Sequence, residues 1–232
     1  AVLVIAGDFD PEPTLQLVAD SFGAIPRPER ELPQAYTVEP AQDGERLVTV
    51  RRVGNTPYLG LGYHIPAGRH PDSAAVAVLG QALAHTPTGR LHQALVEGGK
   101  ATGVMAMSYS MDAPGLLMFL AEAPEDADLG ALEGELLELV EGSAARPFSE
   151  EEIDQARQRM LTGVDMAMRD PNAIGVALSE AISQGDWRLF LLGRDMIEQV
   201  TADDVNRVAS AYLQRSNRTV GRFIPTDAPE RV

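Results

Sequence analysis

Four histidines, His64, His70, His85 and His92, carry all the imidazole chemistry available to this chain. A helical zinc site needs two histidines one turn apart with a glutamate beside them as general base. None of the four has that spacing. His85 and His92 are seven residues apart with Pro87 between them, so they cannot share one regular helical face. His92 and Glu97 are five apart, whereas facing helix positions are three or four apart. These histidines read as surface or interface groups. Cysteine is absent, which excludes disulfides, thiolate metal sites and cysteine nucleophiles.

Other candidate chemistry is equally thin. No Gly-x-Ser-x-Gly elbow frames a serine nucleophile. Gly98-Gly99-Lys100 resembles a phosphate loop in composition, but the spacing is wrong and no helix begins after it. It reads as a helix stop before a strand. Acidic clusters run Glu122–Asp128, Glu133–Glu141 and Glu150–Asp154. Paired carboxylates do acid-base work when burial sets their pKa values apart. On polar helix faces and helix starts they read as solvated. Met105, Met107, Met111 and Met118 fall on two adjacent strands, either as core filler or as a Met-lined peptide surface. Trp187 reads as a packing anchor. The residues supply no catalytic group and no metal ligand of their own.

The elements around them follow from pattern. Ala1–Ala6 reads as a buried strand already in progress, so the sequence is expected to continue upstream. A helix follows from Pro13 and Thr14, with Leu15, Leu17, Val18 and Phe22 apolar and Gly23 as its stop. This unit is too small to bury its own apolar face and must complete another sheet. Residues 25–45 hold Pro26, Pro28, Pro33 and Pro40 among charges, which predicts a semi-stiff linker and a domain boundary.

Strands are then expected at about 46–53 and 56–64, the second lightened by Gly60 and Gly62 as a bulge or close approach. A helix from Pro71-Asp72-Ser73 to Ala84 and a shorter one carrying Leu91, Leu95 and Val96 precede a hairpin of 101–110 and 115–123. Helices follow over 127–140, from Ser149 to about Met168, from Pro171 to Gln184, over 186–200 and over 201–213, with 217–224 as a closing strand. The order predicts an α+β fold, a mostly antiparallel sheet with its helices on one face.

A length of 232 residues fits one large or two small domains, and a 44% apolar share is enough for a core. Nineteen basic against thirty-four acidic side chains leave a net charge of −15, which repels nucleic acid and anionic membranes. No apolar run approaches the roughly 20 residues of a membrane span. The composition suits a bacterial periplasm or a cytoplasm equally.

Several segments in order resemble the pitrilysin/insulinase family of zinc metallopeptidases. They are Val4–Asp10, Phe22–Pro26, Gly62-Tyr63-His64 before Pro71-Asp72, Gly89-Arg90-Leu91, Leu95-Val96-Glu97, Asp112–Gly115 and Ser216–Val220. The resemblance covers essentially the whole chain. It implies a two-lobed clamshell in which an active lobe carries an inverted His-x-x-Glu-His zinc motif and a related lobe carries no metal. On that basis 1–24 is the last strand-helix unit of the preceding lobe, 25–45 the linker and 46–232 the metal-free lobe. The zinc motif does not occur in these residues, so zinc is expected in the other lobe, on the same polypeptide or on a partner subunit.

The resemblance further implies a peptide or unfolded-protein substrate held in the chamber between lobes. In many relatives the metal-free lobe grips the substrate with an Arg and a Tyr seven residues apart. Here those positions hold Val96 and Gly103, whose side chains donate no hydrogen bond. Two functions therefore stand: a substrate-chamber lobe of a zinc endopeptidase, or a catalytically inert scaffold subunit of the same family. An intact zinc motif in the complete reading frame favours the first.

Overall fold

The computed structural model describes residues 1–31 and 40–228. Five strands, β1 (Arg46–Val53), β2 (Tyr58–Ile65), β3 (Gly103–Tyr109), β4 (Gly115–Glu122) and β5 (Arg218–Thr226), form one sheet in the order β1-β5-β2-β4-β3. Three pairings are antiparallel and β1–β5 is parallel. The expected α+β architecture is the one observed.

Sequence order did not reveal that β5 sits between β1 and β2 rather than at an edge. Residues 54–57 must therefore step over one strand, a span of roughly 10 Å that four residues cover easily. Gly54 N–H donates to the Thr226 carbonyl at 3.4 Å and Ala123 N–H to the Pro57 carbonyl at 3.0 Å, which fixes both ends of the step.

One side of the sheet carries the core. Along β2, Leu59, Leu61, Tyr63 and Ile65 are buried, and Leu117, Phe119 and Ala121 are their neighbours on β4. This alternation is what a sheet covered on one side requires. The cover comes from α2 (Ser73–Ala84), α3 (Leu129–Glu141), α4 (Glu150–Ala167) and α7 (Ala202–Tyr212). Helix α2 buries eight of its twelve residues, including Val76, Leu79 and Leu83. A short π turn at His92–Val96 ends where Gly99 adopts φ +70°, a conformation glycine enters without a Cβ clash. Gly98-Gly99-Lys100 is thus a helix stop.

Caps follow the sequence signals. Ser149 and Glu152 form a reciprocal capping box on α4, as do Thr201 and Asp204 on α7. Helices α5 (Pro171–Ser183) and α6 (Leu189–Glu198) bury little, and Trp187 between them is 57% exposed. Trp187 is not a core anchor.

The expected strand at Ala1–Ala6 is a correction. These residues join no ladder among the described residues, and Val2, Leu3 and Ile5 are exposed. The segment lies along α5, where Val2, Val4 and Ala6 approach Pro171, Gly175 and Val176. Helix α1 (Pro11–Phe22), capped by Asp10, starts two residues earlier than expected and buries none of its residues. Of the proline-rich stretch, 32–39 lies outside the described residues. Its end is anchored: Gln42 Nε2 donates to the Arg218 carbonyl at 2.7 Å, and Glu45 accepts from Arg218 Nε at 2.6 Å.

Candidate functional site: the open face of the sheet

The side of the sheet turned away from the helices has no cover among the described residues. Register places its outward side chains in cross-strand layers. One layer runs Val48, Gly221, Gly60, Leu120, Met105, and the next runs Arg46, Thr219, Gly62, Met118, Met107. A third holds Val50, Phe223, Tyr58, Glu122 and Gly103.

Gly60, Gly62 and Gly221 make a floor without side chains, and the ladders run through them without a bulge. Missing side chains there leave a trough of about 550 Å³ along the strand direction. Val48 and Val50 wall it on one side, and Leu116, Met118 and Leu120 on the other. Tyr58 and Phe223 meet edge to face at one end, with ring centroids 6.3 Å apart. The lining is mainly apolar, with Arg46, His64 and Thr219 toward the other end. The trough is thus a concave, mainly apolar surface that is open to solvent.

The methionine alternatives resolve on this face. Met105, Met107 and Met118 point outward together, and Met105 is 52% exposed. They are not core filler. Met111 lies in the hairpin turn and is also exposed.

The sequence candidates for chemistry are scattered. His64 lies on the open face, and Asn217 Nδ2 donates to its carbonyl at 2.9 Å. His70 Nδ1 accepts from Asp72 N–H at 3.1 Å. His85 and His92 are brought close by the turn between them. Burial, then Arg159 and His92, holds the His85 imidazole below its usual pKa. His92 Nδ1 stands 4.0 Å from Glu97 Oε1. Among the described residues no group of three or more His, Cys, Asp or Glu side chains could hold a metal ion.

The acidic clusters are only partly the solvated faces that pattern suggested. Glu133 takes Arg222 in a fork of 2.5 and 2.7 Å, and Glu141 takes Arg218 and the Tyr63 hydroxyl. Glu152 takes Arg90 at 2.7 and 2.9 Å, with the guanidinium 3.8 Å from the Phe148 ring centre. These partners come from distant parts of the chain, so no local pattern could reveal them.

Val96 and Gly103 are separated by role. Val96 is half-buried against the core, while Gly103 opens β3 on the open face with nothing within 4 Å of where a Cβ would be. Space for a larger side chain exists there, and the sequence leaves it empty.

Fold and face together define an α+β domain built on one five-stranded sheet with an apolar trough on its open side. The model of the Peptidase M16 inactive domain matches residues 1–160, and the chain belongs to that family. It is 44% identical to the inactive peptidase domain of a Bordetella parapertussis protein classed as a zinc protease, with a TM-score of 0.70 over 79% of this chain and 98% of that one. A Helicobacter pylori protease of solved structure superposes with a TM-score of 0.88 at 21% identity, over 95% of this chain and 54% of that chain. In sequence it is 22% identical to the Helicobacter pylori zinc protease PqqE over 223 residues, which is 94% of this chain and 50% of that protein. An uncharacterised zinc protease of Mycobacterium tuberculosis is 27% identical over 219 residues. The chain spans about half the length of these curated relatives. Among the described residues no helix is long and apolar enough to cross a membrane.

Proposed function

We propose that this chain is the non-catalytic substrate-chamber lobe of a zinc-dependent endopeptidase, with the open sheet face as one wall of the chamber. The observation that carries this is an apolar, glycine-floored sheet face, uncovered beside a well-packed core, in a member of the inactive-domain family. An extended or unfolded peptide laid against it buries apolar side chains without meeting a reacting group. Zinc and the hydrolytic chemistry belong to a second lobe, on the same polypeptide or a partner subunit.

The domain division follows the same reading. Residues 1–24 supply the last strand-helix unit of the preceding lobe, 25–45 the linker and 46–232 the metal-free lobe. Two observations support it: Val2–Ile5 finds no ladder partner among the described residues, and α1 buries none of its residues. An apolar segment outside any ladder and a helix with no buried residue fit elements whose apolar sides belong to a different unit from 46–232.

A second reading has its own support. Val96 and Gly103 offer no side-chain donor to a substrate carbonyl, which suits an inert scaffold subunit. One experiment separates the two. In the complete polypeptide, with any partner subunit, Met118→Glu on the open face should slow peptide cleavage while leaving zinc content unchanged. Unchanged cleavage removes the chamber-wall role. Absence of a zinc motif, bound zinc and cleavage from the complete assembly selects the scaffold.

A further inference from the structure

We infer that the methionines of the β3–β4 hairpin are an oxidation switch on the open face: a peroxide converts Met105 and then its neighbours to sulfoxides, and the apolar face becomes polar. The inference rests on the chamber-wall reading and adds how that wall is regulated.

Composition is the first argument. Cysteine, the side chain that peroxides ordinarily attack first, is absent, so methionine is the oxidisable sulfur of this chain. Of its eight methionines, four (Met105, Met107, Met111 and Met118) lie between residues 103 and 122. Placement is the second. Met105 and Met107 stand on β3, the last strand of the sheet order, and Met111 is exposed in the turn that follows. Register sets Met105 beside Leu120 and Met107 beside Met118, two of the residues that wall the trough. Met160 and Met196 pack against the core instead. Oxygen added on the hairpin therefore changes the face and spares the packing beneath it.

The chemistry is a two-electron transfer. The Met105 Sδ lone pair attacks one oxygen of hydrogen peroxide, an S–O bond forms and the O–O bond breaks. The departing hydroxide takes the proton of the transferred hydroxyl and leaves as water, so sulfur is oxidised by two electrons and the peroxide is reduced by two. A sulfoxide reductase drawing on a dithiol reverses this, with a disulfide and water as products. Met105 is exposed and should react before Met107, because Tyr109 Oη donates to Met107 Sδ at 3.7 Å and occupies a lone pair there. A sulfoxide is polar, so an apolar side chain laid beside it buries an unpaired acceptor.

The first measurement follows the 232-residue chain through graded hydrogen peroxide by peptide mass spectrometry. Met105 should gain oxygen ahead of Met107, Met160 and Met196. Oxidation of the core-packed methionines before Met105 overturns the inference. The second uses the complete polypeptide, with any partner subunit, and compares each sample with its own untreated control. Peroxide should slow peptide cleavage about tenfold at unchanged zinc content, and methionine sulfoxide reductase should restore it. The triple variant Met105→Leu, Met107→Leu and Met118→Leu conserves volume and removes the oxidisable sulfur, so its cleavage should resist the same treatment. An equal loss in the variant, or no loss in the parent once Met105 and Met107 carry oxygen, overturns the switch. Met118→Glu separates that failure from failure of the wall. If Met118→Glu slows cleavage and peroxide does not, the wall stands without the switch; if neither slows it, both fall.

Discussion

Arg218 on β5 holds Glu141 on α3 through one guanidinium nitrogen, 2.8 Å from each carboxylate oxygen. Tyr63 donates to the same carboxylate at 3.0 Å from the centre of β2, and Glu45 closes on Arg218 from the entry to β1. Burial, and after it Glu141, pushes the Tyr63 hydroxyl above its ordinary pKa, so it remains a donor. One side chain thereby ties together two neighbouring strands, the start of a third and a covering helix.

Removing that centre should be costly. Arg218→Ala leaves two carboxylates facing each other at a site where Arg218 is 10% exposed. Loss of about 3 kcal/mol is expected, because an unpaired charge is stranded. Arg218→Met combined with Glu141→Met should recover part of it. Urea unfolding of the single and double variants measures the difference.

Arg90 makes a second, local test. Its guanidinium reaches Glu152, the Arg146 carbonyl at 2.6 Å and the Pro147 carbonyl at 3.1 Å while lying over Phe148. Lysine keeps the charge but not the planar fork. Arg90→Lys should lower stability by about 2 kcal/mol, visible as a lower thermal midpoint with unchanged secondary structure.

Asp72 sets an acid dependence. Arg207 at 2.8 Å and then Tyr212 at 2.7 Å hold its carboxyl below the usual carboxylate range. A depressed carboxylate contributes stability above its unfolded-state pKa of about 3.9 and loses it as pH falls through the folded value. Asp72→Asn should therefore melt lower at neutral pH, and the gap to the parent should narrow as pH falls below about 3.9. A gap that persists in acid contradicts the sign. Tyr212, pushed up to about 12 by burial and Asp72, keeps its proton across this range.

Val2–Ile5 should exchange their amide hydrogens fastest among the apolar segments, since no ladder among the described residues protects them. Hydrogen exchange on a dilute, monomeric sample is the measurement. Protection equal to that of the β3–β4 hairpin would mean that the segment pairs with a sheet already present, and would displace the proposed boundary at residue 24.

The strand at 56–64, the helix start at Ser149 and the hairpin of 101–110 and 115–123 were each legible locally, because strand period, cap chemistry and turn residues act over a few positions. They were legible in order. What the sequence could not decide was adjacency. That β5 enters between β1 and β2 depends on pairings between residues 155 to 173 apart, and no local pattern encodes them. The candidate site shows the same divide. Gly60 and Gly62 were visible as oddities in a strand, and Met105, Met107 and Met118 as an ambiguous set. Only the register that sets Gly221 beside Gly60 and Met107 beside Met118 turns them into a floor and a wall. The acids of α3 looked solvated until tertiary packing brought Arg218 and Arg222 to them. Local chemistry determines which elements form. Long-range packing of the sheet determines which face is left open, because the helices that follow from the crossovers bury one face and leave the other without cover among the described residues.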